Sequence, residues 1–341
     1  MRTILAATLL GIACAVTPVY GQAAKTAKAP AFSESPEVRE FIRDMHDRHG
    51  FDVAHLTRQF AAIRANQSVL RAIRPAAVPE LQRSWQRYRE RFLNEQRLTQ
   101  GLRFWQDNRS ELIRAEAIYG VPQEIIVAII GVETEYGRNT GKFGVLEALA
   151  TLSFSYPPRA PFFRNELEQF LLMARENGIS PLDYKGSYAG AIGIPQFMPS
   201  SQRNFAVDFD GDDRIDLRRS PTDAIGSVAR FLHLHGWQTS APIAVQAHVS
   251  GDPAPLIAAG IKPVLPLREF GEHGVVALGE AEAMAGQPAA LIDLVSPEMP
   301  TEYWVGFDNF YVITRYNRSS FYAMSVFMLA ESLREAHTTA P

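Results

Sequence analysis

A carboxylate stands on an apolar helix in the middle of the chain. The stretch IIVAIIGVETEYGRNTG, residues 125–141, begins as an almost uninterrupted apolar run and ends with Glu133 and Glu135 at a glycine-marked stop. On a helix, Glu133 lies over the residues three, four and seven positions earlier, which are all isoleucine: Ile130, Ile129 and Ile126. Burial disfavours the charged form of a carboxyl and raises its pKa. A carboxyl that stays protonated near neutral pH can act as the general acid in glycosidic bond cleavage.

The same pattern also fits a structural role. A buried glutamate can bond to a helix end, or Glu133 can pair with Arg138, and structural ion pairs perturb pKa values as well. The helix pattern by itself therefore leaves both interpretations open. Glu135 falls near the end of the helix with easier access to water, and we expect it to be a surface residue or one that supports the site from behind.

A second chemical motif is the acidic stretch DFDGDDRID, residues 208–216. Its side-chain oxygens fall at positions 1, 3, 5 and 9 of an EF-hand-like loop, on Asp208, Asp210, Asp212 and Asp216, and Arg214 would add its backbone carbonyl. Two positions depart from the pattern: Asp213 replaces the usual glycine and Arg219 replaces the usual glutamate. Asp tolerates the left-handed conformation that the glycine position needs. The loop predicts a calcium site, and the alternative is a solvated turn whose carboxylates cap a helix.

The elements that must position these groups are mostly helical. Residues 33–120 have helical periodicity, with Trp85, Tyr88 and Phe92 on one face, and amphipathic helices continue through the segment 121–240. Residues 241–299 are rich in Ala, Pro, Gly and Val and predict a small β-containing insertion. The chain then returns to the core over 300–338, with helical character in SSFYAMSVFMLAESLREA. The pattern predicts a mainly α protein of the α+β class.

Composition narrows the function classes. The chain has 341 residues, 46% of them hydrophobic and 21% charged, which is typical of a globular protein with more than one domain or subdomain. The net charge of −3 gives no basic field for nucleic acid, so we expect no such partner.

The N-terminus has the layout of a secretory signal. Arg2 precedes an apolar run, small residues follow, and cleavage after Gly21 would leave residues 22–32 as a flexible leader. The run is too short to span a bilayer as a mature helix. Cys14, the single cysteine, offers an alternative as a lipidated N-terminal residue on the outer membrane, although Gly11 is an unusual residue before such a site. We expect a periplasmic protein.

Four blocks of sequence resemble one enzyme family, the membrane-bound lytic transglycosylase B family of bacterial murein hydrolases. The resemblance covers about residues 33–335 in matching order and is densest in GVETEYGRNTGKFGVLEALATLSFSYPPRAPFF, KGSYAGAIGIPQFMPSS, FAVDFDGDDRIDLRRSPTDAIGSVARFLHLHGW and EYWVGFDNFYVITRYNRSSFYAMSVFMLA. It implies a lysozyme-like core with a helical subdomain and a small β subdomain. It also implies cleavage of the β-1,4 bond between N-acetylmuramic acid and N-acetylglucosamine, with 1,6-anhydromuramyl products and no cofactor for catalysis.

The resemblance assigns roles to single residues. Glu133 would be the only acid and base, since the C6 hydroxyl of the sugar replaces water and no second carboxylate is needed. The residues implied to bind the glycan are Ser187, Gln196, Tyr316, Asn317, Tyr322, Tyr88 and Arg159. For Gln196 a loop-stabilising amide is the structural alternative. Arg159 matches one of two adjacent arginines in the family, and Pro158 stands where the other would be.

The resemblance also extends the acidic loop. Family members close a longer loop with an aspartate that opens the next helix, and Asp223 is the candidate, one residue later than expected. The implied partners are peptidoglycan glycan strands and proteins of wall synthesis, none of which the sequence names. Two rival functions remain: a hydrolase of the same fold and a non-catalytic peptidoglycan-binding protein.

Overall fold

The computed structural model describes residues 30–74, 84–279, 281–297 and 299–339. The predicted signal peptide and Cys14 lie outside the described residues. No single helix in the described part is long and apolar enough to cross a membrane, although Arg109–Tyr119 and Gln123–Thr134, bent by 114°, meet that test of length and composition together.

Helices make up most of the described chain, as predicted. In chain order they are α1 (Pro36–His49), α2 (Val53–Ala61), α3 (Gln67–Ile73), α4 (Trp85–Phe92), α5 (Glu95–Asp107), α6 (Arg109–Tyr119), α7 (Gln123–Thr134), α8 (Val145–Ser155), α9 (Ala160–Glu176), α10 (Pro199–Phe205), α11 (Pro221–Leu234), α12 (Ala254–Ala258), α13 (Asp308–Thr314) and α14 (Ser320–Thr339). Several begin at a side chain that accepts a backbone amide of the first turn: Asp52, Asn66, Ser84, Asn94 and Ser220.

The strands form two antiparallel sheets. They are β1 (Phe143–Gly144), β2 (Lys185–Gly186), β3 (Ala244–Val249), β4 (Leu265–Pro266), β5 (Val275–Ala277), β6 (Pro288–Ser296) and β7 (Met299–Gly306). β1 pairs with β2, and the others form a five-stranded sheet in the order β4-β6-β7-β3-β5. This sheet is the predicted β insertion, but it runs past the expected boundary at 299, because β7 pairs with both β6 and β3. Helix returns at Asp308, before the predicted helix that begins at SSFYAMSV.

Two large hydrophobic cores hold the helices. One core contains residues of α4–α7, α10, α11, α13 and α14, and the other contains residues of α1–α3, α8 and α9. The helices predicted as one subdomain over 33–120 are therefore divided between the cores. The short helices α1–α3 complete their core only with α8 and α9, which contribute large side chains such as Leu149 and Phe170.

The predicted flexible leader of residues 22–32 includes a residue that is packed in the described structure. Phe32 is only 6% exposed and lies in the core of α1–α3. Ala31 beside it forms an isolated bridge with Arg64. Burial of the apolar Phe32 side chain next to the first helix stabilises the fold by more than the conformational entropy that the chain loses there.

α7 is the central helix of the larger core. It packs against α14, α5, α11 and α6, and every residue from Ile125 to Val132 is at most 8% exposed. A helix that is apolar on all sides in this way must be surrounded by other elements. The element that bears Glu133 is therefore held rigidly from several directions.

Candidate active site

The end of α7 presents Glu133 to its surroundings. The helix stops at Thr134, and the next three residues are left-handed, with φ values of 51° at Glu135, 61° at Tyr136 and 83° at Gly137. The Thr134 hydroxyl donates to the Ile194 carbonyl at 2.7 Å and accepts the Gly137 amide at 3.0 Å. These bonds tie the helix end to the loop that contains Gln196.

Tyrosines surround the carboxyl of Glu133. The Tyr322 hydroxyl donates to Glu133 Oε1 at 2.7 Å, and the Tyr316 and Tyr322 rings stack with centroids 6.3 Å apart. Burial raises the pKa of Glu133 to about 7, and the Tyr322 hydrogen bond, which favours the charged form, partly opposes this rise. The pKa of Tyr88 is raised to about 12 by burial and by the nearby charge of Glu133. Three tyrosines named from the sequence thus lie around one carboxyl that burial keeps largely away from water.

The helix-face argument was right about burial of the helix, and it did not identify the polar partner of the carboxyl. Ile126, Ile129 and Ile130 are fully buried, yet so is almost every other residue of α7, so the isoleucine stripe does not distinguish one face. The groups that meet the carboxyl come from α4 and from the C-terminal segment, about 190 residues along the chain in the case of Tyr322. Helical periodicity contains no information about such partners.

The alternative ion pair with Arg138 is absent from the described residues. Arg138 is exposed, and the acidic group at this helix end that pairs with an arginine is Glu135, at 3.0 Å from Nη2 of Arg97. Arg97 lies on α5 and is 7% exposed. Sequence reasoning missed it, although a lone arginine among the apolar positions of α5 was a signal.

The side chains of Ser187 and Gln196 both form hydrogen bonds with backbone groups of the loops around them. The Ser187 hydroxyl accepts the backbone amides of Ala189 and Ala191, at 3.2 and 3.0 Å. The Gln196 side-chain amide donates to the carbonyls of Thr140 and Gly193, at 3.1 and 2.9 Å, so the loop-stabilising interpretation describes this nitrogen. Its φ of 51° is left-handed, which turns the loop sharply beside Pro195.

The other predicted glycan-binding residues occupy different places. Tyr316 donates its hydroxyl to the Pro195 carbonyl at 2.5 Å, which joins the Gln196 loop to the tyrosine cluster, and Asn317 beside it is exposed. Arg159 is exposed before α9, with its guanidinium 4.5 Å from the Phe162 ring centroid. Phe197 is buried and packs against Phe231 and Tyr316.

The acidic loop folds around its own carboxylates. Oxygens of Asp208, Asp210 and Asp212 lie within 4.8 Å of one another, which makes them a candidate metal cluster. Asp213 has a φ of 65°, as predicted for the position of the missing glycine. The Asp208 carboxylate accepts the amides of residues 211, 212 and 213, and the Asp212 carboxylate accepts the Arg214 amide.

Asp216 and Asp223 have other partners. Asp216 accepts the Arg218 amide and lies 3.4 Å from Nε of the same residue. Asp223, in the first turn of α11, is 1% exposed, and its two oxygens accept the amides of Phe209 and Asp216, each at 2.8 Å. Asp223 therefore holds the two ends of the loop against α11. Arg219, at the twelfth position of the loop, is exposed.

Comparison with known proteins agrees with this architecture. The family model described as "Transglycosylase SLT domain" matches residues 33–331. Membrane-bound lytic murein transglycosylase B of Escherichia coli K12 is 41% identical over 322 residues, which are 89% of this chain and 84% of that protein. The chain belongs to the SLT-domain family of lytic murein transglycosylases, enzymes that act on peptidoglycan, and the predicted lysozyme-like fold is confirmed.

Solved structures show the same similarity. Soluble lytic transglycosylase SltB1 of Pseudomonas aeruginosa is 46% identical, with a TM-score of 0.81, over 89% of this chain and all of that one. Escherichia coli Slt35 in complex with calcium is 40% identical, with a TM-score of 0.80, over 91% and 96% of the two chains. Pseudomonas aeruginosa SltB3 in complex with NAG-anhNAM-pentapeptide is 30% identical, with a TM-score of 0.76, over 87% and 79%.

Proposed function

We propose that Glu133 is the only acid and base of the lytic reaction, which cleaves the β-1,4 bond between N-acetylmuramic acid and N-acetylglucosamine. The supporting observation is a buried carboxyl, hydrogen-bonded by Tyr322 at 2.7 Å, whose pKa is raised to about 7. Such a group is protonated in a large fraction of molecules at neutral pH and can donate that proton.

The reaction balances with one carboxyl. Glu133 gives its proton to the bridging oxygen as the bond from that oxygen to C1 of the muramic acid breaks. The C6 hydroxyl of the same sugar then attacks C1, and its proton passes to the Glu133 carboxylate. The products are a free N-acetylglucosamine end and a 1,6-anhydromuramyl end, and the enzyme is regenerated without water.

The environment of Glu135 favours this route over hydrolysis. A hydrolase needs a second carboxylate, either as a nucleophile or to activate water. Glu135 is the nearest acidic residue along the chain, and its carboxylate is paired at 3.0 Å with the buried Arg97 guanidinium. The lone carboxyl suits attack by an internal hydroxyl.

The tyrosine cluster has two proposed roles. Tyr322 orients the carboxyl and stabilises its charged form after proton transfer, since it donates to Oε1. Tyr316, Tyr88 and exposed Asn317 form a wall of ring faces and polar edges, which suits a sugar. Ser187 orients Glu133 or bonds the substrate. Gln196, through Oε1, and the exposed Arg159 guanidinium contact the glycan or its peptide. SltB3, solved with NAG-anhNAM-pentapeptide, is a relative with such a ligand.

Product mass tests the mechanism. Digestion of purified sacculi should release muropeptides that lack one water relative to ordinary reducing ends, as mass spectrometry of unreduced products will show. Borohydride treatment should leave these products unchanged because an anhydro end has no free aldehyde. Reducing muramic acid ends as the main product would establish the hydrolase instead. Release of no soluble product, with glycan binding retained, would establish the binding-protein alternative.

The acidic loop is proposed as a structural calcium site. Asp208, Asp210 and Asp212 supply the clustered oxygens, and Asp216 and the Arg214 carbonyl would complete the set. Asp223 holds the loop in shape through two backbone amides, and in our prediction it also closes the site. Slt35, whose structure was solved in complex with calcium, is a relative at 40% identity.

The proposed location is the periplasm, after cleavage behind Gly21, with a lipid anchor at Cys14 as the second candidate form. The relative from Escherichia coli is a membrane-bound enzyme by name. Mass spectrometry of the mature N-terminus distinguishes the two forms, because a start at Gln22 excludes the anchor. Wall-synthesis proteins are the proposed protein partners, and glycan strands are the substrate.

A further inference from the structure

The backbone just after Glu133 is strained. Glu135 and Tyr136 are consecutive residues with side chains and both have left-handed backbones, at φ 51° and 61°. Such a conformation costs an L-residue about 1–2 kcal/mol. Strain of this kind persists only when the surrounding structure holds it, and it is concentrated where function needs a fixed geometry.

A buried arginine holds the same segment. Arg97 donates to the Gly131 carbonyl, in the last turn of α7, and through Nη2 to Glu135 Oε1 at 3.0 Å. It is 7% exposed, and its Nε has no hydrogen-bond partner among the described residues. A guanidinium is expensive to bury, so packing alone does not account for one at this position.

The Tyr136 ring locks the segment from the other side. Its hydroxyl donates to the Arg97 carbonyl at 3.0 Å, so the residue bonds back to the helix that supplies the arginine. The ring fills the space between α5 and α7, where a Cβ at either Gly101 or Gly131 would overlap the phenol. Both glycines are therefore needed for the ring to fit, and the backbone after Glu133 cannot shift without breaking these contacts.

We propose that Arg97, Glu135 and Tyr136 form a clamp that fixes the end of α7 and so aims the Glu133 carboxyl at the substrate, which makes Arg97 a positioning residue for the lytic reaction. The proposal rests on the proposed role of Glu133. The clamp acts through geometry: burial raises the Glu133 pKa and the Tyr322 hydroxyl partly opposes that rise, and the Arg97 charge is not among the causes of the shift.

The test separates kcat from KM. Glu135→Ala removes the carboxylate that Arg97 binds, and Glu135→Gln keeps an acceptor oxygen in its place. On soluble glycan strands, we expect Glu135→Ala to lower kcat about tenfold, since a misplacement of about 1 Å can cost about 100-fold and the remaining contacts limit the shift to less than that. KM should stay within twofold, and Glu135→Gln should recover most of the loss. Arg97→Met should reproduce the loss, and the double variant should lose no more than either single variant.

A matched ion pair is the control. Arg203 and Glu176 form a pair at 2.7 Å that links α10 to α9 away from the clamp. Arg203→Met should lower the melting temperature slightly and leave kcat unchanged. If Arg97→Met does not fold, the Glu135 variants still decide, because the Glu135 side chain is 39% exposed and its replacement opens no cavity.

Two outcomes would overturn the proposal. One is a lower melting temperature with kcat unchanged, which would make the clamp a stabilising feature only. The other is a displaced pH limb of kcat/KM in Glu135→Ala, which would mean that the clamp acts by charge. Failure of the Glu133 mechanism is separate, since it would appear as turnover by Glu133→Gln whatever the clamp variants do.

Discussion

Glu133 and Asp223 are both acidic residues near the end of a helix, and burial raises the pKa of each. Their partners differ. Asp223 accepts two backbone amides at 2.8 Å, and those amides lower its pKa against the effect of burial. Glu133 accepts one phenolic hydroxyl at 2.7 Å.

The helix ends also differ. Asp223 lies in the first turn of α11, where unpaired amides and the helix dipole favour a negative charge. Glu133 lies in the last turn of α7, where the dipole disfavours it. The comparison teaches that burial alone does not give a carboxyl the properties of a general acid. A carboxylate whose two oxygens both accept backbone amides, like Asp223, stabilises the structure. A carboxyl with one hydrogen bond at the C-terminal end of a helix, like Glu133, retains a proton that it can donate.

The largest expected effect is the loss of enzymatic activity in Glu133→Gln. Removing the proposed general acid should lower the rate of muropeptide release on the order of 10³-fold, within the usual range for such groups. Binding to insoluble sacculi should be retained in a pull-down. Glu124→Gln, at the other end of the same helix, is the control and should keep its activity.

Of the substitutions at Glu133 and Asp223, Asp223→Ala should cause the larger loss of stability. It leaves the amides of Phe209 and Asp216 without acceptors, which costs about 1–3 kcal/mol each. Urea unfolding should show a loss of about 3 kcal/mol in the free energy of unfolding. Exposed Asp47→Ala is the control. A loss near zero would mean that water replaces the carboxylate, and the contrast with Glu133 would fail.

Glu133→Gln should stabilise the fold in a pH-dependent way. The folded pKa of about 7 lies above the ordinary 4.5, so below pH 4.5 the carboxyl is neutral in both states and has no effect. As pH rises from 4.5 to 7 the unfolded state releases the proton first, and above 7 the native carboxylate costs up to about 3 kcal/mol. The variant lacks this cost. Unfolding at pH 8 should show a gain that disappears at pH 4.

Tyr322→Phe should change rate and pH profile together. The phenol donates to the carboxylate and so lowers the Glu133 pKa, which means that its removal raises the pKa further above 7. The upper limb of kcat/KM should move to higher pH, and kcat should fall about tenfold, the equivalent of one hydrogen bond. Tyr303→Phe, in the sheet, should change neither. A limb that moves to lower pH would contradict the assigned bond.

The smallest effect should come from chelation. If the loop binds calcium, EDTA should lower the melting temperature by a few degrees, to an extent set by the metal concentration and the dissociation constant. Asp210→Ala should abolish the difference, since Asp210 belongs to the acidic cluster. The calcium proposal fails if the melting temperature of the intact protein is the same with EDTA and with added calcium.

Many features of the fold and of the site could be predicted from the sequence, because they depend on residues that are close together along the chain. The apolar run of α7 predicted a buried helix that ends beside Glu133, and the Asp spacing predicted the turn with left-handed Asp213. The four sequence blocks indicated the family and with it the fold. These features follow from neighbouring residues along the chain, which local periodicity and motif spacing encode.

Only the tertiary structure decided which groups meet. It placed Tyr322 and Tyr316 of the C-terminal segment at the Glu133 carboxyl, paired Glu135 with Arg97, and divided the N-terminal helices between two cores. Periodicity records which face of an element is buried and contains nothing about what buries it. A pKa depends on those distant partners, so the chemistry of Glu133 was fixed by packing and not by its own helix.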